Sequence, residues 1–411
     1  MLNFEKAGVS PRIIKLYRIL IGFMRVIGRI FGLRCVYYSY KSQRFEVSKL
    51  DVIYTAVYFI FSCLAITYLM PNTFDGMQKI MPISFVPAMI GSIQTSLNYF
   101  LIAFIYFMEM WNSKKIRDYL NNLSEMSEIE ESLLKNATFC ELMNPWLYLL
   151  FKIGICEIMC LAVCLLNFYF IVKELQSLLF LFGTLLTIYP YIVQFTISTF
   201  IYMNILRTNF FLKLLNVNLT QIMEKIQKSN VGNMKEFQRI TFSCDLSDRL
   251  DKFAIYYNYL STVTKEYINL YSWQLTLMIV SNFLATTFQL FMQYYFSQLQ
   301  IRGIMKLNVL SGILSFLYCI FGYTDFLLHG IIGHQMKNET KRTGLILHKM
   351  PIHQMDIRFR RSIEMFSLQI LNEIPGINVS GMFILDLGLI SSIIAAISNY
   401  IVILIQFDQA I

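Results

Sequence analysis

Apolar residues in this chain come in long runs. Uncharged or nearly uncharged stretches occupy 52–70, 82–108, 146–172, 175–206, 267–297, 307–333 and 378–407. A hydrocarbon core takes about 20 residues of helix to cross, so the pattern predicts an all-α membrane protein with seven transmembrane helices. Ten-residue segments of strict alternation do not occur, which excludes a membrane β-barrel. No charge interrupts 175–206 or 267–301, so the fourth and fifth helices tilt or extend beyond the bilayer. The longest polar segment, 207–266, keeps Phe211, Leu214, Leu215, Leu219, Ile222 and Ile226 at helical spacing. It therefore reads as helical extensions of its neighbours. Residues 12–34 interleave Ile13, Leu16, Leu20, Met24 and Ile27 with Arg12, Lys15, Arg18, Arg25 and Arg29, the pattern of a basic helix lying on a membrane surface.

Composition agrees with this reading. Hydrophobic residues make up 56% and charged residues 15% of the 411 positions, against about 25% charged in soluble domains, and the mean hydropathy is +0.53. A net charge of +9 would suggest nucleic acid in a soluble protein; here its distribution matters more, and no nucleic-acid partner is expected. Lys and Arg number 10 in the N-terminal segment, 4 in 111–145, 9 in 207–266 and 7 in 334–362. The opposite connections hold Lys79, Lys173, Arg302 and Lys306. A bias of that size predicts a cytoplasmic N-terminus and an extracellular C-terminus. A G-protein-coupled receptor also has seven spans but the inverse orientation, and a transporter should show repeats and paired broken helices. The opening MLNFEKAGVSPR lacks an apolar core, so no cleavable signal peptide is expected. The sequons at Asn122, Asn136, Asn218 and Asn338 fall on the cytoplasmic side. The expected division is a cytoplasmic segment 1–49, a six-helix region 50–333 with extensions over about 207–266, and a C-terminal unit 334–411.

Candidate chemistry is sparse. No G-x-S-x-G, P-loop or H-E-x-x-H occurs, so an enzyme, a cofactor and a metal site are not expected. Cys156, Cys160 and Cys164 share a helical face, where small residues at a helix contact are the reading preferred over a soft-metal site. Ionisable groups at membrane depth are functional candidates. Lys152 is expected to snorkel to the cytoplasmic end of its span. Glu157 is expected either to bond a neighbouring helix or to line a polar cavity. Asp325 and His329, four apart, are expected to pair with each other near the cytoplasmic end, a reading preferred over a role in gating, and Asp386 to open the last span near the interface.

In the last span, Ser392, Ala395, Asn399, Val402 and Gln406 follow steps of three and four and share one face. Such a stripe is either a close-packing interface or, with several copies around an axis, a pore wall closed by apolar residues. Spacing alone puts packing ahead.

The same segment carries a resemblance. Tyr400, five aliphatics and then Gln406-Phe407 resemble the C-terminal signature of insect gustatory receptors, with Asn399 where that family usually has Thr. The stretch Gly381-Met-Phe383-Ile-Leu-Asp386 is also similar to the family, as is Phe366-Ser-Leu-Gln369. The resemblance implies a tastant-gated, non-selective cation channel, a homo- or hetero-tetramer around the last helix, in the plasma membrane of a sensory dendrite. It puts Gln406 and Phe407 at the gate, with Val402, Ile403, Asn399, Ala395 and Ser392 along the pore. Glu373-Ile-Pro-Gly376 would break the last helix into a cytoplasmic anchor piece and a pore-lining piece. The small-molecule tastant would sit in the outer halves of spans 2 to 6, where Gln94, Asn98, Tyr189, Gln289, Gln293, Tyr294, Ser315 and Tyr318 are the polar or aromatic candidates. Membrane lipid and permeant cations are the other implied partners. No acidic residue sits within the terminal signature, which leans the ligand toward a bitter or aversive compound; a sugar-gated channel and an accessory subunit stay open as alternatives.

Overall fold

The computed structural model describes residues 11–80, 85–125, 127–134, 145, 147–166, 178–229, 235–301, 309–353, 355–372 and 376–410. Helix α1 (Pro11–Ile30) leads into a short antiparallel hairpin, β1 (Val36–Ser39) and β2 (Arg44–Val47), with Val36 opposite Val47 and Ser39 opposite Arg44. Then come α2 (Lys49–Ile80), α3 (Phe85–Trp111), α4 (Ser113–Glu125) and α5 (Ser127–Leu134). Helix α6 (Leu147–Leu166) contains a π-helical segment, Phe151–Ile158. The long helices α7 (Leu178–Lys228), α8 (Glu236–Ile301) and α9 (Val309–Lys349) follow, then α10 (Ile357–Leu371), a hairpin of β3 (Asn378–Val379) and β4 (Phe383–Ile384), and α11 (Leu387–Ala410).

Among the described residues, six helices are long and apolar enough to cross a membrane: Lys49–Asn72, Met89–Trp111, Leu147–Leu166, Glu236–Tyr295, Gly312–Lys349 and Leu387–Phe407. The remaining expected span, 175–206, falls largely on the first half of α7, while residues 167–177 lie outside the described residues. Helix α8 has 66 residues, about 99 Å of helix against a hydrocarbon core of about 30 Å. Most of it therefore stands outside the membrane.

That outer part has its own core. The stripe Phe211, Leu214, Leu215 and Leu219 is fully buried, and Leu246, Leu250, Tyr256 and Phe366 join it from α8 and α10. Packing of α7, α8, α9 and α10 forms a helical block at the end of the bundle where the basic residues concentrate, called the basic end below. Polar ties reinforce it: Ser247 Oγ lies 2.7 Å from Ser362 Oγ, and Thr343 Oγ1 donates to Asn216 Oδ1 at 2.7 Å.

The β1–β2 hairpin was not expected, although Val36-Tyr-Tyr-Ser and Arg44-Phe-Glu-Val are strand-like tetrapeptides. Asn121 of α4 holds it, accepting from the Phe45 N–H at 2.8 Å and donating to its carbonyl at 3.2 Å.

Candidate functional site

The last helix sits on the bundle by a narrow face. Ile390 and Ile397 are buried, whereas Ser392, Ala395, Asn399, Val402, Ile403, Gln406 and Phe407 are all exposed. Only 11% of its span is buried, the smallest share among the six. Among the described residues neither amide, Asn399 nor Gln406, has a hydrogen-bond partner within the chain. An amide facing hydrocarbon without a partner is costly, so this face requires either water or another polypeptide against it. Tyr400 packs edge-on against Phe283 of α8, with ring centroids 5.7 Å apart.

Two glycines seat the start of this helix. A methyl group on Gly333 of α9 would lie 2.0 Å from the Leu385 carbonyl oxygen, and one on Gly330 would lie 2.6 Å from Ile390 Cγ1. At Gly333, where the obstacle is backbone, only hydrogen lets α9 and the segment entering α11 approach so closely. Asp386 caps α11: its Oδ1 accepts from the N–H groups of Gly388 at 2.9 Å and Leu389 at 3.2 Å, and its Oδ2 accepts from Lys337 Nζ at 2.9 Å. Gly381 and Phe383 belong to the preceding hairpin; Gly381 has φ +74° and donates its N–H to Asn378 Oδ1 at 2.9 Å. The glycine, aromatic and acidic positions before the span are thus a turn, a strand residue and a helix cap. Replacing Asp386 by Ala removes a cap worth about 1 kcal/mol and a partly exposed ion pair worth at most about 1 kcal/mol. Asp386→Ala is expected to lower the thermal unfolding temperature in detergent, with Asp386→Asn losing less because it still caps.

The Glu373-Ile-Pro-Gly376 break falls mostly outside the described residues; on either side of it stand α10, ending at Leu371, and the β3–β4 hairpin.

A second constellation lies within the bundle and corrects the expectation for Lys152. Its side chain is fully buried and does not snorkel. Its Nζ pairs closely with Asp325 Oδ1 of α9, lies 3.1 Å from Glu157 Oε1 and donates to Ser198 Oγ of α7 at 3.0 Å. Ser198 donates in turn to Asp325 Oδ2 at 3.0 Å, and Thr199 donates to Glu157. Asp325 and His329 do not pair through their side chains as expected. The ring nitrogens of His329 face the carbonyls of Asp325 and Ser198 at 3.1 and 3.2 Å. The reason is local geometry: Lys152 and Glu157, five apart, would sit about 140° apart around an α-helix, but the π-helical segment winds them toward the same side. With Lys152 charged and both carboxylates ionised, the group is one positive charge short; one proton on Glu157 or His329 balances it.

The pocket candidates divide. Asn98 of α3 is the centre of a polar group between three helices: its Nδ2 donates to the Tyr191 hydroxyl at 3.3 Å, and its Oδ1 accepts from Ser281 Oγ at 2.9 Å and Gln194 Nε2 at 3.4 Å. Tyr318 of α9 meets Tyr191 edge-on at 5.9 Å. Gln94, one turn from Asn98, has a buried Oε1 with no partner among the described residues. Tyr189 belongs elsewhere. Its hydroxyl bonds that of Tyr106 at 2.7 Å, and its ring lies 6.3 Å from Tyr58 and 5.9 Å from Phe61. Gln293 donates to the Gly312 carbonyl at 3.3 Å, Tyr294 contacts Phe291, and Gln289 is half-buried on α8. The Ser315 side chain lies outside the described residues. Tyr191, Gln194 and Ser281, which complete the Asn98 group, were missed; only the helical faces of three separate spans, once placed together, select them.

Comparison with known proteins fits this architecture. Residues 21–411 match the model of the 7tm chemosensory receptor family. The chain therefore belongs to that family, the insect gustatory and olfactory receptors. Among curated relatives it is 24% identical over 197 residues to putative gustatory receptor 94a of Drosophila melanogaster, 48% of this chain and 47% of the other. It is 27% identical over 178 residues to that organism's gustatory receptor for bitter taste 93a, 42% and 40% of the two chains. These matches span less than half the length of either relative. The olfactory receptor OR5 of Machilis hrabei shares the fold, with a TM-score of 0.64 at 14% identity over 96% of this chain and 99% of that one. Its structure in complex with eugenol matches with a TM-score of 0.63 at 14% identity, over 95% and 99% of the two chains.

Proposed function

We propose that this chain is a gustatory receptor acting as a tastant-gated cation channel, in which four copies place α11 around a common axis in the plasma membrane of a sensory cell. The observation that carries this reading is the uncovered stripe Ser392–Ala395–Asn399–Val402–Gln406, two of whose members are amides without a partner among the described residues. Four such faces around water satisfy the amides and give permeant cations an uncharged polar wall, while Ile403 and Phe407 supply apolar rings that close it. The excess of basic residues supports an orientation with the N-terminus in the cytoplasm and the end of α11 outside. The helical block of α7, α8, α9 and α10 is then the cytoplasmic anchor from which the pore helix rises.

The tastant pocket is best placed at the Asn98 group, where Tyr191 and Tyr318 offer aromatic surface and Gln94 an unused acceptor. The polar side chains of this group are bonded mainly to one another, so what it offers a ligand is two aromatic rings and one acceptor, which suits an alkaloid-like bitter compound better than a sugar, whose every buried hydroxyl needs a partner. The relative named for bitter taste, 93a, supports this choice. Gating requires differential binding: moving from 1:99 to 99:1 takes about 5.5 kcal/mol, or about 1.4 kcal/mol at each of four pockets.

Whole-cell recording from cells expressing this chain alone, under a panel of bitter and sweet compounds, tests the reading. A tastant-evoked cation current is expected, with Gln406→Ala altering ion selectivity and Phe407→Ala raising the basal current. Currents unchanged by both substitutions would remove α11 from the pore.

A further inference from the structure

Helices α3, α4 and α8 enclose a groove of about 930 Å³ on the side of the bundle, near the basic end. One wall is aromatic: Phe100, Phe104, Phe107 and Trp111 follow one another along α3, facing Leu270, Trp273 and Leu277 of α8. Phe100, Phe107, Trp111 and Trp273 are all substantially exposed. From Phe100 to Trp111 the helix rises about 16 Å, which is the depth of one leaflet of a core about 30 Å thick. The span itself ends at Trp111. At that level the lining changes to Asn112, Lys115, Asp118, Asn122 and Glu266. Asp118 is occupied by Arg117, 2.7 Å away. Lys115 and Glu266 form no ion pair among the described residues. Among the described residues the groove thus presents one free cation and one free anion at the membrane surface, above an apolar trough one leaflet deep.

We propose that this groove binds one phospholipid with a zwitterionic headgroup: its phosphate on Lys115, its ammonium on Glu266, and an acyl chain along Phe107, Phe104 and Phe100. Opposite charges at the rim select against an anionic headgroup, which would meet Glu266 unpaired. The assignment needs only that the helices span a bilayer. It is independent of the channel reading, and its test reads lipid, not current.

The full chain, reconstituted in nanodiscs of equal phosphatidylcholine and phosphatidylglycerol and then released into mild detergent, is analysed by native mass spectrometry for retained lipid. Retention of one phosphatidylcholine per chain is expected, enriched about fivefold over phosphatidylglycerol, the discrimination an exposed ion pair supplies. Glu266→Lys is expected to reverse the preference and Lys115→Glu to abolish retention; both positions are exposed, and elution as an intact species checks the fold. Equal retention of the two lipids, or no change in either variant, would mean annular lipid only and overturn the proposal. Efficient disulfide trapping between Trp111→Cys on one copy and Trp273→Cys on another would also overturn it, by showing that a second chain covers the groove.

Discussion

Lys152→Met is expected to cost this protein more stability than any other single side-chain truncation in the bundle. The substitution leaves Glu157 and Asp325 facing each other in a site buried from solvent, with Ser198 as the remaining donor to Asp325. Removing one partner of a buried ion pair costs about 3–5 kcal/mol, because the other charge stays buried without compensation. The cost is shared among α6, α7 and α9, since the group joins all three. A large drop in thermal unfolding temperature and in surface expression should follow. Combining Lys152→Met with Glu157→Gln and Asp325→Asn removes the uncompensated charges while keeping shape, and should recover much of the loss, because replacing a whole buried pair is often neutral. A single variant as stable as the parent would show that the cluster is water-filled and screened.

This cluster shows where sequence reading stops. The apolar runs made the spans legible, and the helical spacing from Phe211 to Ile226 made the extension of α7 to Lys228 legible, because a 3.6-residue period survives any tertiary arrangement. The polar stripe of the last helix was equally readable, and the structure leaves it uncovered. Lys152 was misjudged because snorkelling is a property of an isolated helix. Its actual partner is 173 positions away on α9, and its second partner shares its side only through a π-helical register that an α-helical wheel misplaces. Asn98 was selected for being polar, but the residues completing its group come from α7 and α8 and required the packing to be known. Nothing in local sequence distinguishes Gly330 and Gly333 from other glycines in apolar helices; their role arises from where Leu385 and Ile390 arrive.

Gly333→Ala is expected to disable the receptor while leaving most of the bundle folded. The added methyl would sit 2.0 Å from the Leu385 carbonyl oxygen, whereas a carbon and an oxygen in contact settle at about 3.3 Å or more. The obstacle is backbone, so no rotamer change relieves it, and the segment entering α11 must move by more than about 1 Å. Overpacking of this kind costs about 1–3 kcal/mol, and the rigid contact places Gly333→Ala at the upper end. Gly330→Ala meets chiefly the Ile390 side chain, which can yield, so its effect should be smaller. The displaced element is the root of the helix proposed to line the pore, held otherwise by Asp386 on Lys337 and by the Tyr323 hydroxyl on the Ile390 carbonyl at 3.4 Å. Tastant-evoked current should therefore fall further than thermal stability does, with surface expression largely kept. Equal behaviour of Gly333→Ala and the parent in both current and unfolding would mean that α9 and α11 are not in close contact in the working receptor. If stability fell with current intact, α11 would be seated there but would not govern conduction.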